Sequence, residues 1–403
     1  MARAEAMDEL LEKELRKPTL IKNPRVLDLK YIPKKLLHRE EEQKLLIQYF
    51  KPVIEKPGEY SQRVSIIGAI GTGKTAIALK FGEMVKVYST QKNLNLEYVH
   101  VNCRRARSAF LTLLEIVRKF NPHIPVRGFS PEEILKMLTE ILNRKKLYLI
   151  VTLDEIDFVI RKDGPNLLYD LTRLTDDEID MKERVSIITI VRDIAFRTML
   201  DESTLSTLRK NTIILNSYDE DQLRDIITDR VNEAFYEDAV SKEAIDLIAD
   251  IASKNGDARF AIELLERAGM HADHKQSLKV LPEHVRYANA SIHPVIRQEI
   301  IKDLTTQQKM TLLAIAIRLR TSQNAYLTMG ELEESYKGLC EEYNLPIRSH
   351  TQIWEYVQYL QNCDVITTKL SSKGQRGQTT LISLPDISAE IIESTIKEQI
   401  DSH

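Results

Sequence analysis

Short apolar runs alternate with longer amphipathic segments through the first half of the chain. The runs are rich in β-branched residues and lie at 63–67, 97–102, 147–153, 185–191 and 211–215. Between them, helix-forming segments lie at about 74–87, 107–120, 131–145 and 166–174. Strands that alternate with helices are typical of a parallel sheet with helices on both faces. The pattern therefore predicts an α/β core, with an N-terminal arm, over residues 1–215.

After residue 215 the strand pattern stops. Helical segments follow at about 219–235, 242–254 and 257–273, and Ser217 with Glu220 fits a capping box at the start of the first. This region predicts a small helical domain, the lid, over residues 216–295.

The last hundred residues combine helix starts with a hairpin. Three capping boxes are predicted, at Thr305 with Gln308, Thr328 with Glu331, and Ser349 with Gln352. Two β-rich runs at 364–369 and 379–384 then flank a basic tip that contains Gly374 and Gly377. Three helices and a hairpin predict a winged helix-turn-helix over residues 296–403, with a helical protein-docking module as the alternative.

Composition narrows the class of protein. The 403 residues include 57 basic and 60 acidic side chains, so DNA binding would have to come from local basic patches. The cysteines Cys103, Cys340 and Cys363 lie far apart, which argues against a disulfide framework or a C-x-x-C zinc site. The sequence has neither an apolar run of transmembrane length nor a signal-peptide core, so we expect a cytoplasmic protein with no membrane partner.

A glycine-rich stretch between the first strand and its helix has the pattern G-x-x-x-x-G-K-[ST] of a phosphate-binding loop. Glycines let the backbone turn tightly, so that its N–H groups converge on an anion at the helix N-terminus. Lys74 would reach the β- and γ-phosphates of ATP, or the β-phosphate of ADP, and Thr75 would ligate Mg²⁺. The predicted nucleotide contacts are Gly68, Ala69, Ile70, Gly71, Thr72, Gly73, Lys74, Thr75 and Ala76.

The apolar run at 147–153 ends in Asp154 and Glu155. A run without polar alternation is typical of a parallel strand buried on both faces, and catalytic carboxylates occur at the carboxyl ends of such strands. Asp154 is therefore predicted to hold Mg²⁺, and Glu155 to activate the attacking water as a general base. The alternative for an isolated Asp-Glu pair is a helix cap.

The chain resembles archaeal replication initiators of the origin recognition complex/Cdc6 type, which are AAA+ ATPases with a C-terminal winged helix. The resemblance covers nearly the whole chain. Beyond the phosphate loop, it is carried by Tyr31-Ile32-Pro33 with His38-Arg39-Glu40, Val101-Asn102-Cys103-Arg104, Leu153-Asp154-Glu155-Ile156-Asp157, Tyr218-Asp219-Glu220-Asp221-Gln222-Leu223 and Gly256-Asp257-Ala258-Arg259.

The resemblance implies further roles for individual residues. Arg259 corresponds to the second sensor, which touches the γ-phosphate from the lid. The residues implied to lie near the adenine are Tyr31, Ile32, His38, Arg39 and Tyr218. Arg104, Arg105 and Arg107 lie where initiators place a DNA-contacting helical insertion, although a solvated turn is the alternative. In the winged helix, the implied DNA contacts are His350, Thr351 and Gln352 in the recognition helix and Lys373 and Arg376 at the tip of the wing.

Three departures from the family pattern concern catalysis and base reading. Arg192 stands at the first-sensor position, where the family usually has Asn, so we expect slow hydrolysis. No arginine finger is identified, since Asp201-Glu202-Ser203-Thr204 replaces the usual Asp-Pro-Arg-Val and only Arg197 and Arg209 lie nearby. His350 is followed by Thr351 and Gln352 instead of two basic residues. These departures indicate a secondary member of a set of paralogues.

The sequence thus predicts a weak ATPase that binds double-stranded DNA at a replication origin. Nucleotide would act as a switch for, or regulator of, loading of the replicative helicase, with paralogous initiators as further partners. One alternative is a winged-helix signalling ATPase that regulates transcription. Another, a AAA+ machine that remodels proteins, is disfavoured by the arginine cluster and the winged helix.

Overall fold

A computed structural model describes residues 17–172, 174, 184–208, 211–292, 301, 304–370, 379–384 and 388–401. The chain divides into two compact units. The sheet unit contains residues 32–218 and 255–259. The helical unit contains the described residues of 17–31, 219–254 and 260–401. The predicted division into three domains stays a prediction, and residues 17–31 of the predicted arm lie in the helical unit.

The sheet unit is built on five parallel strands in the order β2-β3-β4-β1-β5. Their bounds are Arg63–Gly68 (β1), Leu96–Asn102 (β2), Tyr148–Asp154 (β3), Val185–Val191 (β4) and Thr212–Leu215 (β5). Every residue of β4 is buried, and so are all those of β3 after Tyr148, as expected for strands covered on both faces. The predicted α/β core is confirmed, and the carboxyl ends of β3, β4 and β1 lie side by side.

Helices cover this sheet. Their bounds are Glu40–Glu55 (α1), Lys74–Lys92 (α2), Cys103–Ala106 (α3), Ala109–Arg118 (α4), Pro131–Arg144 (α5), Ile156–Asp163 (α6), Asn166–Thr172 (α7) and Glu202–Leu208 (α8). The predicted helix 107–120 is present as α4, and the short helix α3 before it is separate, because Arg107 adopts a left-handed conformation with φ 70° and Ser108 caps a new start. The predicted capping box of Ser130 and Glu133 is present at α5.

The helical unit contains the lid helices Glu220–Ala234 (α9), Lys242–Ser253 (α10), Ala258–His274 (α11) and Pro282–Ile292 (α12). Its C-terminal part contains Thr306–Ser322 (α13), Leu327–Thr328 (β6), Met329–Glu342 (α14), His350–Asn362 (α15), Thr367–Leu370 (β7), Thr380–Ser383 (β8) and Ala389–Asp401 (α16). The antiparallel order β6-β8-β7 against three capped helices confirms the predicted winged helix.

One local expectation from the sequence is wrong in this unit. The capping box at α9 is formed by Asp219 and Gln222, and not by Ser217 and Glu220. Both pairs fit the pattern, but the backbone becomes helical only from Glu220, so the side chain of Asp219 is the one that meets the free N–H groups. Pro282 is the first residue of α12, a position that suits its fixed φ angle and missing N–H.

Candidate functional site

The phosphate loop connects β1 to α2 and is held in a fixed shape. Gly71 and Gly73 have φ angles of 74° and 91°, which a side chain would disfavour. The Thr72 hydroxyl donates to the Ala69 carbonyl at 2.9 Å, and Arg39 Nε donates to the Thr72 carbonyl at 3.0 Å. Residues 68–73 thus form a turn that leads into a 19-residue helix beginning at Lys74, the arrangement that suits a phosphate.

Lys74 lies within this loop. Its Nζ donates to the carbonyls of Gly68 and Ala69, each at 2.6 Å. Burial lowers the pKa of Lys74, and the nearby charges of Arg192 and Arg259 lower it further, while Asp154 and Glu155 oppose them. A partly desolvated cation next to two arginines favours a polyanionic ligand.

The predicted metal ligands are in contact. Thr75 Oγ1 donates to Asp154 Oδ2 at 2.8 Å, and Asp154 is only 2% exposed at the end of β3. A hydroxyl and a carboxylate are hard oxygen donors, so these residues fit Mg²⁺. Within the described residues, no group of three or more His, Cys, Asp or Glu side chains lies close enough to hold a metal ion on its own. Mg²⁺ that binds together with a nucleotide does not need such a group, because phosphate oxygens and water complete its coordination.

Glu155 follows Asp154 in a left-handed conformation, with φ 54°, and precedes α6. Its Oε1 accepts a hydrogen bond from Arg192 Nη2 at 2.6 Å and lies 3.9 Å from Arg104 Nη1. The hydrogen bond to Glu155 raises the pKa of Arg192. Arg192 lies directly after β4, next to β3 in the sheet, so strand order brings together Glu155 and Arg192, two of the three predicted catalytic residues, the third being Arg259.

Arg259 lies beside the phosphate loop within the sheet unit. The N–H of Ala258 donates to the Gly71 carbonyl at 3.2 Å, and the N–H of Arg259 donates to Asp257 Oδ1 at 2.8 Å. A Cβ at Gly71 would overlap the carboxylate of Asp257. The start of α11 is therefore anchored to the loop backbone, although the rest of that helix belongs to the helical unit.

Arg39 and Tyr218 lie on the other side of the loop. The Arg39 guanidinium lies 3.9 Å from the centre of the Tyr218 ring, and its Nη2 donates to the Asn216 carbonyl at 2.6 Å. Both residues are buried, and burial raises the pKa of Tyr218. Ile32 and His38 lie in the same unit and are half-buried. A cation stacked on an aromatic ring offers a surface where an adenine could bind.

Tyr31 is not brought together with these residues inside the sheet unit. It belongs to the helical unit, where its hydroxyl donates to Glu233 Oε2 at 2.6 Å and its ring lies 4.7 Å from the Arg230 guanidinium. The backbone before it pairs with the lid, as the N–H of Asn23 donates to the Ala234 carbonyl at 2.9 Å. The role of Tyr31 near the adenine stays a prediction.

The arginine cluster lies on α3 and just after it. The side chains of Arg104 and Arg105 are 60% and 77% exposed, and Arg105 lies 3.7 Å from Glu115. Arg107 is exposed, and its carbonyl accepts a hydrogen bond from Lys162 Nζ at 2.8 Å. The cluster is thus largely solvent-facing, yet Arg104 also approaches the candidate general base.

The predicted recognition helix corresponds to α15. His350 Nδ1 forms a hydrogen bond with Glu333 Oε1 of α14, and Thr351 is exposed. Gln352 Oε1 accepts from the N–H of Ser349 at 3.3 Å in the capping box, so its carbonyl oxygen is already engaged. The helix contains neither lysine nor arginine. Lys373 and Arg376 lie outside the described residues.

Three family models match the chain: an AAA domain over residues 59–200, a Cdc6 AAA+ ATPase-type lid domain over 224–290 and a CDC6 C-terminal winged helix domain over 299–394. The ORC1-type DNA replication protein 2 of Sulfurisphaera tokodaii is 36% identical over 97% of this chain and 96% of its own length. The chain belongs to the ORC1-type family of DNA replication proteins. The ORC1-type protein of Pyrococcus furiosus is 34% identical over 94% of this chain and 90% of its own.

Solved structures agree with membership of the ORC1-type family. The crystal structure of Cdc6p from Pyrobaculum aerophilum matches with a TM-score of 0.81 and 30% identity, covering 95% of this chain and 99% of that one. The Aeropyrum pernix ORC1 protein, solved in complex with DNA, matches with a TM-score of 0.64 and 28% identity over 94% and 98% of the two chains. The predicted AAA+ fold with lid and winged helix is confirmed, and AAA+ membership implies nucleotide binding.

Within the described parts of this ORC1-type chain, the helices fall short of the length and apolarity needed to cross a membrane.

Two residues of the site were not singled out by sequence reasoning. Asp257 was recognised only as part of a motif, and His100, which lies 3.3 Å from Asp154, was not considered. A lone histidine in a strand gives no local signal, because only the pairing of β2 with β3 places it beside the carboxylate.

Proposed function

We propose that this protein is an ATP-controlled initiator that binds duplex DNA at replication origins and regulates loading of the replicative helicase. The observation that supports it most is that one chain combines a phosphate loop and a winged helix. In the loop, Lys74 is hydrogen-bonded to the backbone and Thr75 to Asp154. Its relatives are named DNA replication proteins, and the Aeropyrum pernix ORC1 protein was solved in complex with DNA. Paralogous initiators and the helicase are the proposed protein partners.

In the nucleotide site, the amides of residues 68–75 and the Lys74 ammonium would bind the phosphates. Thr75 and Asp154 would hold Mg²⁺, which neutralises phosphate charge when bound. Arg259 would contact the γ-phosphate, and the adenine would lie near Arg39 and Tyr218. Glu155 would take the proton from the attacking water.

The pairing of Glu155 with Arg192 supports a slow switch in place of a fast motor. A general base must present its carboxylate oxygen to water, and here Oε1 accepts from Arg192 at 2.6 Å. Each turnover would have to break or rearrange this charge-assisted bond first. Arg192 also stands where the family usually has asparagine, and this departure suits a secondary paralogue with a regulatory role.

Two separate parts of the chain would bind DNA. One is the cluster of Arg104, Arg105 and Arg107, whose exposed guanidiniums suit backbone phosphates. The other is the winged helix, with His350, Thr351 and Gln352 at the start of α15. Because α15 lacks lysine and arginine, most of the phosphate charge there would be met outside it, as by Lys373 and Arg376.

Two substitutions test the nucleotide part of the proposal. Lys74→Ala should abolish ATP binding, and Glu155→Ala should retain binding but lose hydrolysis, as measured by fluorescent-nucleotide titration and phosphate release. Lys80→Ala is the matched control, since this lysine pairs with Glu83 further along α2. Parental hydrolysis in both site variants would show that the site is misassigned.

Footprinting tests the DNA part. We expect the full chain to protect DNA at replication origins from nuclease cleavage in vitro and to occupy these origins in a genome-wide binding map. Protection confined to promoters would instead favour the alternative, a winged-helix signalling ATPase that regulates transcription.

A further inference from the structure

We propose that His100 is a positioning residue for Asp154, the carboxylate assigned to Mg²⁺. The proposal rests on the proposed nucleotide function and adds a residue that lies outside the nucleotide-binding motifs. Three observations support this role: the pairing of β2 with β3, the contacts of Asp154 Oδ2, and the buried His100 Nδ1, which lacks a hydrogen-bond partner among the described residues.

Strand pairing places His100 next to the site. β2 and β3 are parallel and adjacent, with His100 opposite Thr152 and Asn102 opposite Asp154. Alternate residues share one face of a strand, so Tyr98 and His100 lie on the same face. The Tyr98 hydroxyl donates to the Ala78 carbonyl of α2 at 2.7 Å and lies 2.8 Å from Thr152 Oγ1. This face of β2 therefore packs against the helix that begins in the phosphate loop.

Asp154 Oδ2 is shared between two groups. Thr75 Oγ1 donates to it at 2.8 Å, and His100 Nε2 lies 3.3 Å from it. The side chains of His100 and Asp154 are 16% and 3% exposed, so water competes little for the contact. An Nε2–H directed at this oxygen would hold the carboxylate in one orientation from the side of β2, while Thr75 holds it from the phosphate loop.

The other nitrogen of the ring supports this assignment. His100 Nδ1 is buried and has no hydrogen-bond partner within the described part of the chain. An unsatisfied buried nitrogen carries a free-energy cost, and such a group in a native fold calls for an explanation. We explain it by the contact of Nε2 with Asp154, which offsets the cost of leaving Nδ1 unsatisfied, because a neutral histidine donates through a single nitrogen and Asp154 is the acceptor beside Nε2.

Residues that orient a metal ligand contribute strongly to metal affinity without touching the metal. Removing such a partner commonly weakens metal binding about 10- to 100-fold. His100 should therefore affect the response of nucleotide binding to Mg²⁺ and leave the Mg²⁺-free affinity unchanged, since Lys74 and the loop amides bind the phosphates directly.

The test compares His100→Leu, which removes the donor, with His100→Gln, whose amide nitrogen can reach the position of Nε2. Fluorescent ADP and ATP would be titrated into the full chain with EDTA and then over a series of free Mg²⁺ concentrations. Thr152→Val is the matched control, because Thr152 lies opposite His100 and its hydroxyl pairs with Tyr98. A fourth variant, His100→Asn, places a shorter amide at the same position, where it cannot reach Asp154.

For His100→Leu we expect the half-saturating Mg²⁺ concentration to rise about tenfold or more, with affinity in EDTA within about twofold of the parent. His100→Gln and Thr152→Val should resemble the parent, and His100→Asn should share the defect. If His100→Leu does not fold, the contrast between Gln and Asn decides in its place. Parental Mg²⁺ dependence in the Leu and Asn variants, or equal defects in Gln and Asn, would overturn the positioning role. Failure of the parent itself to bind nucleotide would instead overturn the proposed function.

Discussion

Replacing Arg192 with asparagine should accelerate ATP hydrolysis. Arg192 Nη2 donates to Glu155 Oε1 at 2.6 Å, and the two side chains are 41% and 26% exposed. Asparagine cannot form the ion pair, but it introduces the side-chain amide that the resemblance leads us to expect at this position. The change thus frees the candidate general base and leaves a polar group to orient water.

The size of the effect follows from the exposure of the pair. Fully exposed ion pairs contribute roughly 0.2–1 kcal/mol, and hydrogen bonds to charged groups about 1.5–3 kcal/mol. For a pair that is partly exposed we take about 1 kcal/mol, which corresponds to about a fivefold increase in the rate constant. The parent should turn over below about one ATP per second, at the low end of enzyme rates.

Steady-state phosphate release, with nucleotide affinity measured separately, checks this prediction. Arg161→Ala is the control, because Arg161 pairs with Asp157 at 3.1 Å, one helical turn away on α6. The reasoning is refuted if Arg192→Asn lowers the rate while affinity is unchanged. That result would mean that Arg192 stabilises the transition state, so that removing it raises the barrier more than freeing the carboxylate lowers it.

Three further predictions concern DNA and pH. Changing Arg104, Arg105 and Arg107 together to alanine should weaken DNA binding at low salt by at least about tenfold, or ~1.4 kcal/mol. It should also shorten the nuclease footprint on one side, while ATP binding persists. Parental affinity with a full footprint would contradict DNA binding at two separate places. Arg376→Ala should lower the slope of log affinity against log salt by about one for each phosphate that Arg376 neutralises, and an unchanged slope would mean that it does not bind phosphate. Burial lowers the pKa of His284 to about 4. The contribution of this neutral histidine to the free energy of unfolding should therefore be complete above its unfolded pKa near 6.5 and should decrease as the pH falls towards 4. A pKa lowered from 6.5 to about 4 corresponds to about 3 kcal/mol, which we discount to about 2 kcal/mol because water screens the site in part. In urea unfolding, His284→Asn should reduce the decrease by that amount, because Asn can accept the hydrogen bond from the Leu281 N–H without titrating; an identical pH profile would contradict it.

Much of the fold could be predicted because it is encoded in local patterns. The strand β3 is recognisable as an uninterrupted apolar run, and the phosphate loop by glycines that allow positive φ angles. The capping boxes at Thr305, Thr328 and Ser349 depend on residues three positions apart, so they too are local.

The remaining features depend on contacts between distant parts of the chain. The bond from Arg192 to Glu155 follows from strand order, and the contact of His100 with Asp154 follows from strand register. The pairing of Asn23 with Ala234 puts the arm in the helical unit, and nothing in either segment indicates it. Helix α6 was missed because it starts after a left-handed Glu155 without a side-chain cap.

The central claim is that nucleotide controls DNA binding by this chain, and its most direct test is origin-DNA affinity measured in each nucleotide state. The parent would be titrated with origin and scrambled duplexes in Mg²⁺-ATP, Mg²⁺-ADP and EDTA, beside Lys74→Ala. The account predicts a preference for origin DNA whose affinity or footprint differs between ATP and ADP in the parent, and a Lys74→Ala protein that does not respond to nucleotide. Identical affinity and footprint of the parent in all three states would contradict it.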